Sequence, residues 1–412
     1  MDTYLYSRDY IKGMERVLSL FNPWWEGAFK THWISRRDYL DRLAAKGKTD
    51  AIVFITGLRR VGKTTLVHQF IERLISGGTE PSRILYFSMD HPALVKESIL
   101  DILDAFRRIQ GFGHSEDFTA FIDEVHAREG FERELKAVHD MGHVKVYATG
   151  SSSIFMVEKG AYLTGRQTFI EVLPFSFQEY LNLKGLQTKK SDSHLMVRRA
   201  EEYVLEGGLP EYIRTGDPGY ITTLLDAFLY RDVAARHGVR NVQALRELML
   251  LVVQSAGSRI SPRKLSNVLG LSHETVREYL SFFMEASLLH QVRMSGKLSE
   301  SVASPRKAYL ADTGLVHVIS PTINLGCLVE NAVFNELRTA GEVRYAMVNG
   351  KEVDFVRGDE CYEVKYMDRV PPDAVSHLKQ LKVGRRTVIT RNHSGKADGI
   401  DYVPLWRFLL ER

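Results

Sequence analysis

The sequence predicts a multidomain α/β protein: an N-terminal parallel sheet, a helical middle and a second α/β unit. Three observations carry this expectation. Short apolar runs alternate with helical patterns from residue 51 to about 190. From about 192 to 250 the chain reads as helix throughout, and a new alternation begins near 325. At 412 residues, the chain is also too long for one ordinary core.

The elements follow in order. Residues 1 to 50 read as helices around a turn at "NPWWEG", where Trp24 and Trp25 suit a packing anchor better than a binding site. "AIVFIT" is a continuous apolar run of the kind a buried parallel strand requires. "GLRRVG" follows as a loop, and "KTTLVHQFIERLISG" as a helix ending at Gly77. Further strands are expected at "RILYFSM", "TAFIDEV" and "VKVYATG", with a fifth in "GRQTFIEVLPFSFQEYL" before a helix. The helical middle breaks at "EGGLPEY", and 251 to 318 reads as short helices followed by a hairpin. The last unit opens with helix "LVENAVFNELRTAG". Strands "VRYAMV", "EVDFV" and "CYEVKY" come next, then a helix around "DAVSHLKQL" and strand "RRTVIT".

Composition narrows the function classes little. Hydrophobic residues make up 44% and charged residues 26%, an ordinary globular mix. A net charge of +4, from 55 basic and 51 acidic residues, gives no global signal for nucleic acid. The two cysteines, Cys327 and Cys361, have no metal-ligand spacing, so a reducing cytoplasmic setting is expected rather than a disulfide framework. The first residues lack a signal-peptide core, and no apolar run is long enough to span a membrane.

Gly57-x-x-x-x-Gly62-Lys63-Thr64 fits a phosphate-binding loop between a strand and a helix. Glycine lets backbone N–H groups face a phosphate, and the helix N-terminus adds partial positive charge. Lys63 is expected to reach the β- and γ-phosphates of ATP, with the Thr64 hydroxyl on Mg²⁺. Arg59, Arg60, Val61 and Thr65 complete the nucleotide-binding stretch. Asp123 ends the strand in "TAFIDEV", where a buried carboxylate suits a second Mg²⁺ contact. Glu124 is then placed to orient or deprotonate the attacking water. Thr149 or Ser151, after the next strand, is a candidate γ-phosphate sensor; an ordinary loop start is the alternative.

These segments resemble the Walker A, Walker B and first sensor of AAA-type ATPases, near the signal-transduction branch. "GLRRVGKTTL", "FIDEVH", "ATGSSS", "LTGRQTFIEVLPFSFQEY" and "GGLPEY" together are similar to a large prokaryotic ATPase family. Its members carry a C-terminal domain of unassigned role. The family usually has Pro where Leu58 stands, a departure that leaves the loop chemistry intact. The resemblance implies that Arg166 is an arginine finger or sensor arginine, with a surface ion pair as the alternative. It also implies that Gly208 and Pro210 form the lid's Gly-x-Pro element, against a plain helix-breaking turn. It further implies binding of ATP or ADP and homo-oligomeric assembly. The expected organisation is 1–190 for N-terminal helices and ATPase core, 191–250 for a helical lid, 251–318 for a winged helix-turn-helix, and 319–412 for a restriction-endonuclease-like domain.

The last two segments rest on their own residues. In "SPRKLSNVLGLSHETVREYLSFFMEASLL", Leu265, Val268 and Leu269 are expected on one helix face, with Gly270 in the turn. Val276, Leu280 and Phe283 follow at helical spacing. His273, Glu274, Arg277 and Glu278 match DNA poorly, so a rigid lid competes with DNA contact. In the hairpin after 351, pairing Val356 with Cys361 sets Asp354 opposite Glu363 and Glu352 opposite Lys365. Facing carboxylates repel unless a divalent cation joins them. Asp354, Glu363 and Lys365 thus resemble the Asp…Glu-x-Lys core of the restriction-endonuclease-like superfamily, with Glu330 as the additional acid. An ion-paired hairpin without cleavage activity is the alternative. The run Lys382, Arg385, Arg386, Arg391 and Lys396 is a candidate phosphate-backbone track or a solvated rim. The sequence therefore leads to a Mg²⁺-dependent ATPase coupled to DNA or RNA. The alternative is a non-cleaving nucleotide switch whose C-terminal domain binds a protein partner.

Overall fold

The computed structural model describes residues 8–150, 163–186 and 192–411. The chain divides into two compact units, one of residues 1–58 and 62–172, the other of 59–61 and 173–412.

The first unit contains, in order, α1 (Arg8–Phe21), α2 (Arg37–Gly47), β1 (Ile52–Thr56), α3 (Lys63–Ser76) and β2 (Ile84–Ser88). They are followed by α4 (Ile99–Gln110), β3 (Phe118–Asp123), α5 (Phe131–Met141), β4 (Val144–Thr149) and β5 (Gln167–Glu171). The five expected strands form one parallel sheet in the order β2-β3-β4-β1-β5. Every residue of β1 and β2 is buried, as a parallel strand covered on both faces requires. One core layer joins Met14 and Leu18 of α1, Ile102 and Phe106 of α4 and Leu135 of α5 to Phe54, Leu85 and Ile122 of the sheet.

β2 lies at the edge, and the N-terminal turn covers it. Asn22 is fully buried; its Oδ1 accepts from Tyr86 N–H at 2.6 Å and its Nδ2 donates to Tyr86 O at 2.8 Å. The indole N–H groups of Trp24 and Trp25 donate to Ile84 O at 3.2 and 2.9 Å. Side chains thus satisfy backbone groups that an open edge would leave free to pair with another chain. The tryptophans pack, as the sequence suggested.

The second unit begins with helices: α6 (Phe177–Leu183), α7 (Ser193–Glu206), α8 (Pro210–Thr215), α9 (Pro218–Ala227) and α10 (Val242–Gln254). α9 runs on into a π-helical stretch, Phe228–Ala234. Next come β6 (Arg259–Ile260), α11 (Pro262–Leu269), α12 (His273–Glu285), β7 (Leu289–Val292), α13 (Leu298–Ala303) and β8 (Arg306–Leu310). β6, β8 and β7 form a three-stranded antiparallel sheet. Gly270 caps α11 at φ 64° and Ser272 caps α12 through Thr275 N–H, so the turn chemistry is as expected. Val276, Leu280 and Phe283 are buried. Val268 is instead 69% exposed, and α13 interrupts the expected hairpin.

α14 (Thr313–Ile319) and α15 (Leu325–Leu337) lead to β9 (Arg344–Val348), β10 (Lys351–Arg357), β11 (Glu360–Lys365), β12 (Arg385–Thr390), β13 (Gly395–Ala397), β14 (Ile400–Pro404) and α16 (Leu405–Leu410). These strands form a six-stranded mixed sheet in the order β13-β14-β12-β11-β10-β9. Val356 pairs with Cys361, the register expected. The turn is tighter than expected, because Arg357 and Glu360 also pair and leave Gly358 and Asp359 as its centre. The expected helix at "DAVSHLKQL" is 3₁₀, Pro372–Gln380, and β13, β14 and α16 extend the unit beyond the expected strands.

Candidate active site and its electrostatics

Parallel pairing brings the ends of β1, β3 and β4 to one edge of the first sheet. Ile55 pairs with Thr149 and Ile122 with Ala148, so Thr56, Asp123 and Thr149 end side by side. The loop between β1 and α3 crosses this edge. Gly57 has φ 137°, and a Cβ there would lie 2.2 Å from Val172 O, so only glycine fits. Gly62, at φ 93°, precedes α3, whose first turn has no side-chain cap. Its N–H groups are the donors an anion uses at a helix start.

Lys63 is buried, and its ammonium donates to Gly57 O and Leu58 O at 3.1 Å each. Asp123 is 5% exposed and held entirely by hydroxyls. Thr64 Oγ1 donates to Oδ2 at 2.8 Å, Tyr86 Oη to Oδ2 at 2.9 Å, and Thr149 Oγ1 to Oδ1. Glu124 stands in the left-handed region at φ 48°, its N–H donating to Thr149 Oγ1 at 2.9 Å. A non-glycine residue there stores strain, a common feature of functional sites. Its carboxylate lies 3.4 Å from His126 Nδ1. Burial pushes the His68 imidazole down, partly offset by Asp123. Burial and the Asp123 charge push the Tyr86 phenol far up.

Lys63, Thr64, Asp123, Glu124 and Thr149 are thus gathered on one edge. Thr65 follows Thr64 in α3, and Val61 is fully buried. Arg59 and Arg60 are grouped with the second unit, where Arg59 Nη1 lies 2.9 Å from Asp232 Oδ1. Ser151 lies outside the described residues. Tyr86 is the member sequence reasoning missed; its signal was the polar run after β2, one strand from Asp123.

Two assignments change. Arg166 precedes β5, and its carbonyl accepts from Ile52 N–H at the start of β1. That is the opposite edge of the sheet from the phosphate loop, roughly 16 Å away along the strand. Its side chain pairs with Asp140 at 2.8 Å, so it cannot act as a sensor for its own chain's phosphate site. Gly208 is closely packed: a Cβ would lie 2.4 Å from Phe175 O, and its N–H donates to Asp312 Oδ2 at 2.6 Å. Pro210 starts α8 at a position suited to proline. Both have complete structural reasons within the second unit.

In the six-stranded sheet, Asp354 and Glu363 lie close enough that, beyond burial, the Asp354 charge pushes the Glu363 carboxyl up, and each has its own partners. Asp354 Oδ2 accepts from Val364 N–H at 2.9 Å and Oδ1 lies 3.4 Å from Lys307 Nζ. Glu363 Oε1 pairs with Lys365 Nζ at 2.6 Å, and Oε2 accepts from Asp354 N–H at 3.3 Å. Glu352 turns to Lys307 and Arg259, not to Lys365. Glu330 does join the cluster, through Lys307 at 2.5 Å and Tyr309 Oη at 2.6 Å. Burial pushes Glu330 and Glu363 up to about 7, with the Asp354 charge adding to each. Among the described residues no group of three or more His, Cys, Asp and Glu side chains is arranged to hold a metal ion. The metal-ligand role expected of Asp354 and Glu363 rests on two carboxylates, each held here by a lysine and a backbone N–H. The C-terminal basic run is partly paired. Arg385 and Lys396 face Asp401, Arg391 faces Glu201 and Asp368, and Arg386 donates to Leu378 O and Leu381 O.

A phosphate loop at the edge of a five-stranded parallel sheet, with Asp123 ending β3 two strands from β1, fits a P-loop nucleotide-binding domain of the AAA type. A family model described as "AAA domain" matches residues 49–181, and one described as a domain of unknown function matches 197–325. Relatives include an uncharacterized protein of Haemophilus influenzae, 28% identical over 92% of this chain and 99% of its own length. Another, from Methanocaldococcus jannaschii, is 26% identical over 87% of this chain and 88% of its own. Among solved structures, Saccharomyces cerevisiae Hsp104 in complex with casein aligns at a TM-score of 0.30 and 16% identity, over 64% of this chain and 52% of that one. The Pif1 helicase of Candida albicans aligns at 0.27 and 13%, over 41% and 48%. Likenesses this low say nothing of what the chain does. No helix among the described residues is long and apolar enough to cross a membrane.

Proposed function

We propose that the chain hydrolyses ATP in a Mg²⁺-dependent reaction and couples it to DNA or RNA through the second unit. The observation that carries the first half is Asp123, buried yet held only by three hydroxyls. Neutral donors orient a carboxylate without balancing its charge, so a cation still gains by binding beside it. Thr64 and Asp123 would hold Mg²⁺, which supplies charge neutralisation at the phosphate oxygens. The N–H groups of the loop and the first turn of α3 bind the phosphates. Lys63 exchanges two carbonyl partners for phosphate oxygens. Glu124 orients or deprotonates the attacking water, and Thr149 fixes its backbone.

Lys63→Ala is expected to abolish nucleotide binding and turnover. Glu124→Gln is expected to bind ATP and lose turnover by ~100-fold or more. Normal turnover in Lys63→Ala would sink the assignment.

The nucleic-acid half is supported by the order helix, short strand, helix, turn, helix and antiparallel pair from α10 to β8, that of a winged helix. Arg277 of α12 and Arg293 after β7 lie close enough to Arg306 to add like-charge repulsion to burial, and its guanidinium is pushed down. Like charges gathered at the second helix and the wing suit a polyanion. Homo-oligomeric assembly belongs to the same proposal, with Arg166 acting on a neighbouring copy.

A further inference from the structure

β8 places Lys307 and Tyr309 two residues apart, so both leave the strand on one face. Both side chains reach Glu330 of α15. The Lys307 side chain is 1% exposed. Its ammonium meets three oxygens from three residues: Glu330 Oε1 at 2.5 Å, Glu352 Oε1 at 2.8 Å and Asp354 Oδ1 at 3.4 Å. A lysine ammonium has three N–H groups and no acceptor, so this set satisfies it completely.

Two of the remaining oxygens have fixed donors, and Glu330 Oε1 takes a second one. Glu352 Oε2 faces Arg259 Nε at 3.2 Å, Asp354 Oδ2 accepts from Val364 N–H, and Tyr309 Oη bonds Glu330. Lys365 neutralises Glu363, with His377 Nε2 3.8 Å from the same oxygen. Lys307 is not a mobile arm. Its backbone lies in the central strand of the three-stranded sheet, paired with Arg259 and Val292. Arg259 comes from the adjacent strand β6, so the same sheet supplies both cations that hold Glu352.

We infer that Lys307 occupies, as a built-in ammonium, the place of a divalent cation among Glu330, Glu352 and Asp354, so that this cluster takes up no metal and cuts no nucleic acid. The cluster instead ties the three-stranded sheet to the six-stranded one. Two further contacts run the same way: Ser295 N–H donates to Tyr345 O at 2.6 Å, and Tyr345 Oη donates to Pro305 O at 2.6 Å. A divalent ion would need carboxylate oxygens at ~2.0–2.6 Å, a position from which the ammonium must first be removed. The inference rests on the nuclease-like reading of this hairpin, not on ATP hydrolysis.

The test titrates nucleotide-free, full-length protein with Mn²⁺ and follows free Mn²⁺ by electron paramagnetic resonance. Wild type is expected to show no site that Asp354→Asn removes. Lys307→Met is expected to gain one, at least tenfold tighter than any wild-type site in this region, and to lose it again when Asp354→Asn is added. A Mn²⁺ site in wild type that Asp354→Asn abolishes would overturn the inference. So would Mn²⁺-dependent nicking of supercoiled plasmid that Glu363→Gln abolishes, or a folded Lys307→Met without the new site. If Lys307→Met does not fold, the wild-type and Asp354→Asn titrations decide alone. ATP turnover in the same preparations reports separately on the first unit.

Discussion

Replacing Thr64 by Val removes one hydroxyl and nearly nothing else, and its two consequences separate cleanly. Without nucleotide, the variant loses the 2.8 Å bond from Thr64 Oγ1 to Asp123 Oδ2. A hydrogen bond to a charged group contributes about 1.5–3 kcal/mol when buried, and less here because Thr64 is exposed. Asp123 keeps Tyr86 and Thr149 as donors, so a loss of about 1 kcal/mol is expected. For a unit of this size that lowers the melting temperature by about 2–4 °C. With nucleotide the effect is larger and depends on Mg²⁺. If the Thr64 contact contributes tenfold in affinity, it is worth about 1.4 kcal/mol. At saturating ATP, wild type should then melt about 3–6 °C higher with Mg²⁺ than with a chelator. Thr64→Val should show no such difference while still binding ATP through the loop N–H groups and Lys63. Differential scanning fluorimetry with and without Mg²⁺ measures both quantities. An undiminished Mg²⁺ increment in the variant would refute the role given to Thr64.

Two further outcomes concern the second unit. Arg277→Ala should weaken duplex binding in fluorescence anisotropy and reduce the log–log salt slope by about 1, the signature of one lost phosphate contact; an unchanged slope would remove the arginine group from the interface. Asp312 is fully buried, and burial pushes its carboxyl up to about 6 against the bonds it accepts from Gly208, Leu315 and Gly314 N–H. The folded state therefore holds this proton more tightly than the unfolded chain. The resulting stabilisation is complete below the unfolded value and lost as pH rises through about 6. Between pH 5 and 7 wild type should lose about 1 kcal/mol that Asp312→Asn does not, measured as the difference between their denaturant midpoints across that range.

Where local pattern and tertiary demand agreed, the sequence was legible. β1 and β2 are nearly continuous apolar runs because both faces of the parallel sheet are covered there, and a single sequence displays that directly. The phosphate loop was legible because Gly57 and Gly62 occupy backbone angles that other residues avoid. The β10–β11 register was legible to the residue, since a one-residue slip would turn every side chain to the other face. The side-chain partners on that hairpin were not. Lys307 lies 47 residues before Asp354, and no periodicity within β10 or β11 encodes what β8 brings to them. Its one local signal is a lysine alternating with Tyr309 inside the apolar strand "RKAYL". Where Arg166 stands on the sheet was hidden for a similar reason. Its motif placed it near β5 correctly, but only the parallel register with β1 tells which end of the sheet it occupies.

The two acidic clusters also answer why one chain contains both patterns. Asp123 is surrounded by hydroxyls, which satisfy its lone pairs and leave its charge whole. A buried, uncompensated negative charge is costly, and that cost is what a bound cation relieves. Glu330, Glu352 and Asp354 are met by Lys307 and Arg259, two cations that offset most of their three charges. A metal arriving there must break ion pairs before it can form its own bonds. Hydrogen bonding alone therefore does not separate an ion-binding carboxylate from an inert one, because both clusters have donors on their carboxylates. The charge of the donors separates them. By that criterion, among the described residues, the cation-dependent centre proposed above sits at the edge of the first sheet, and the second acidic cluster serves to hold two sheets of its unit together.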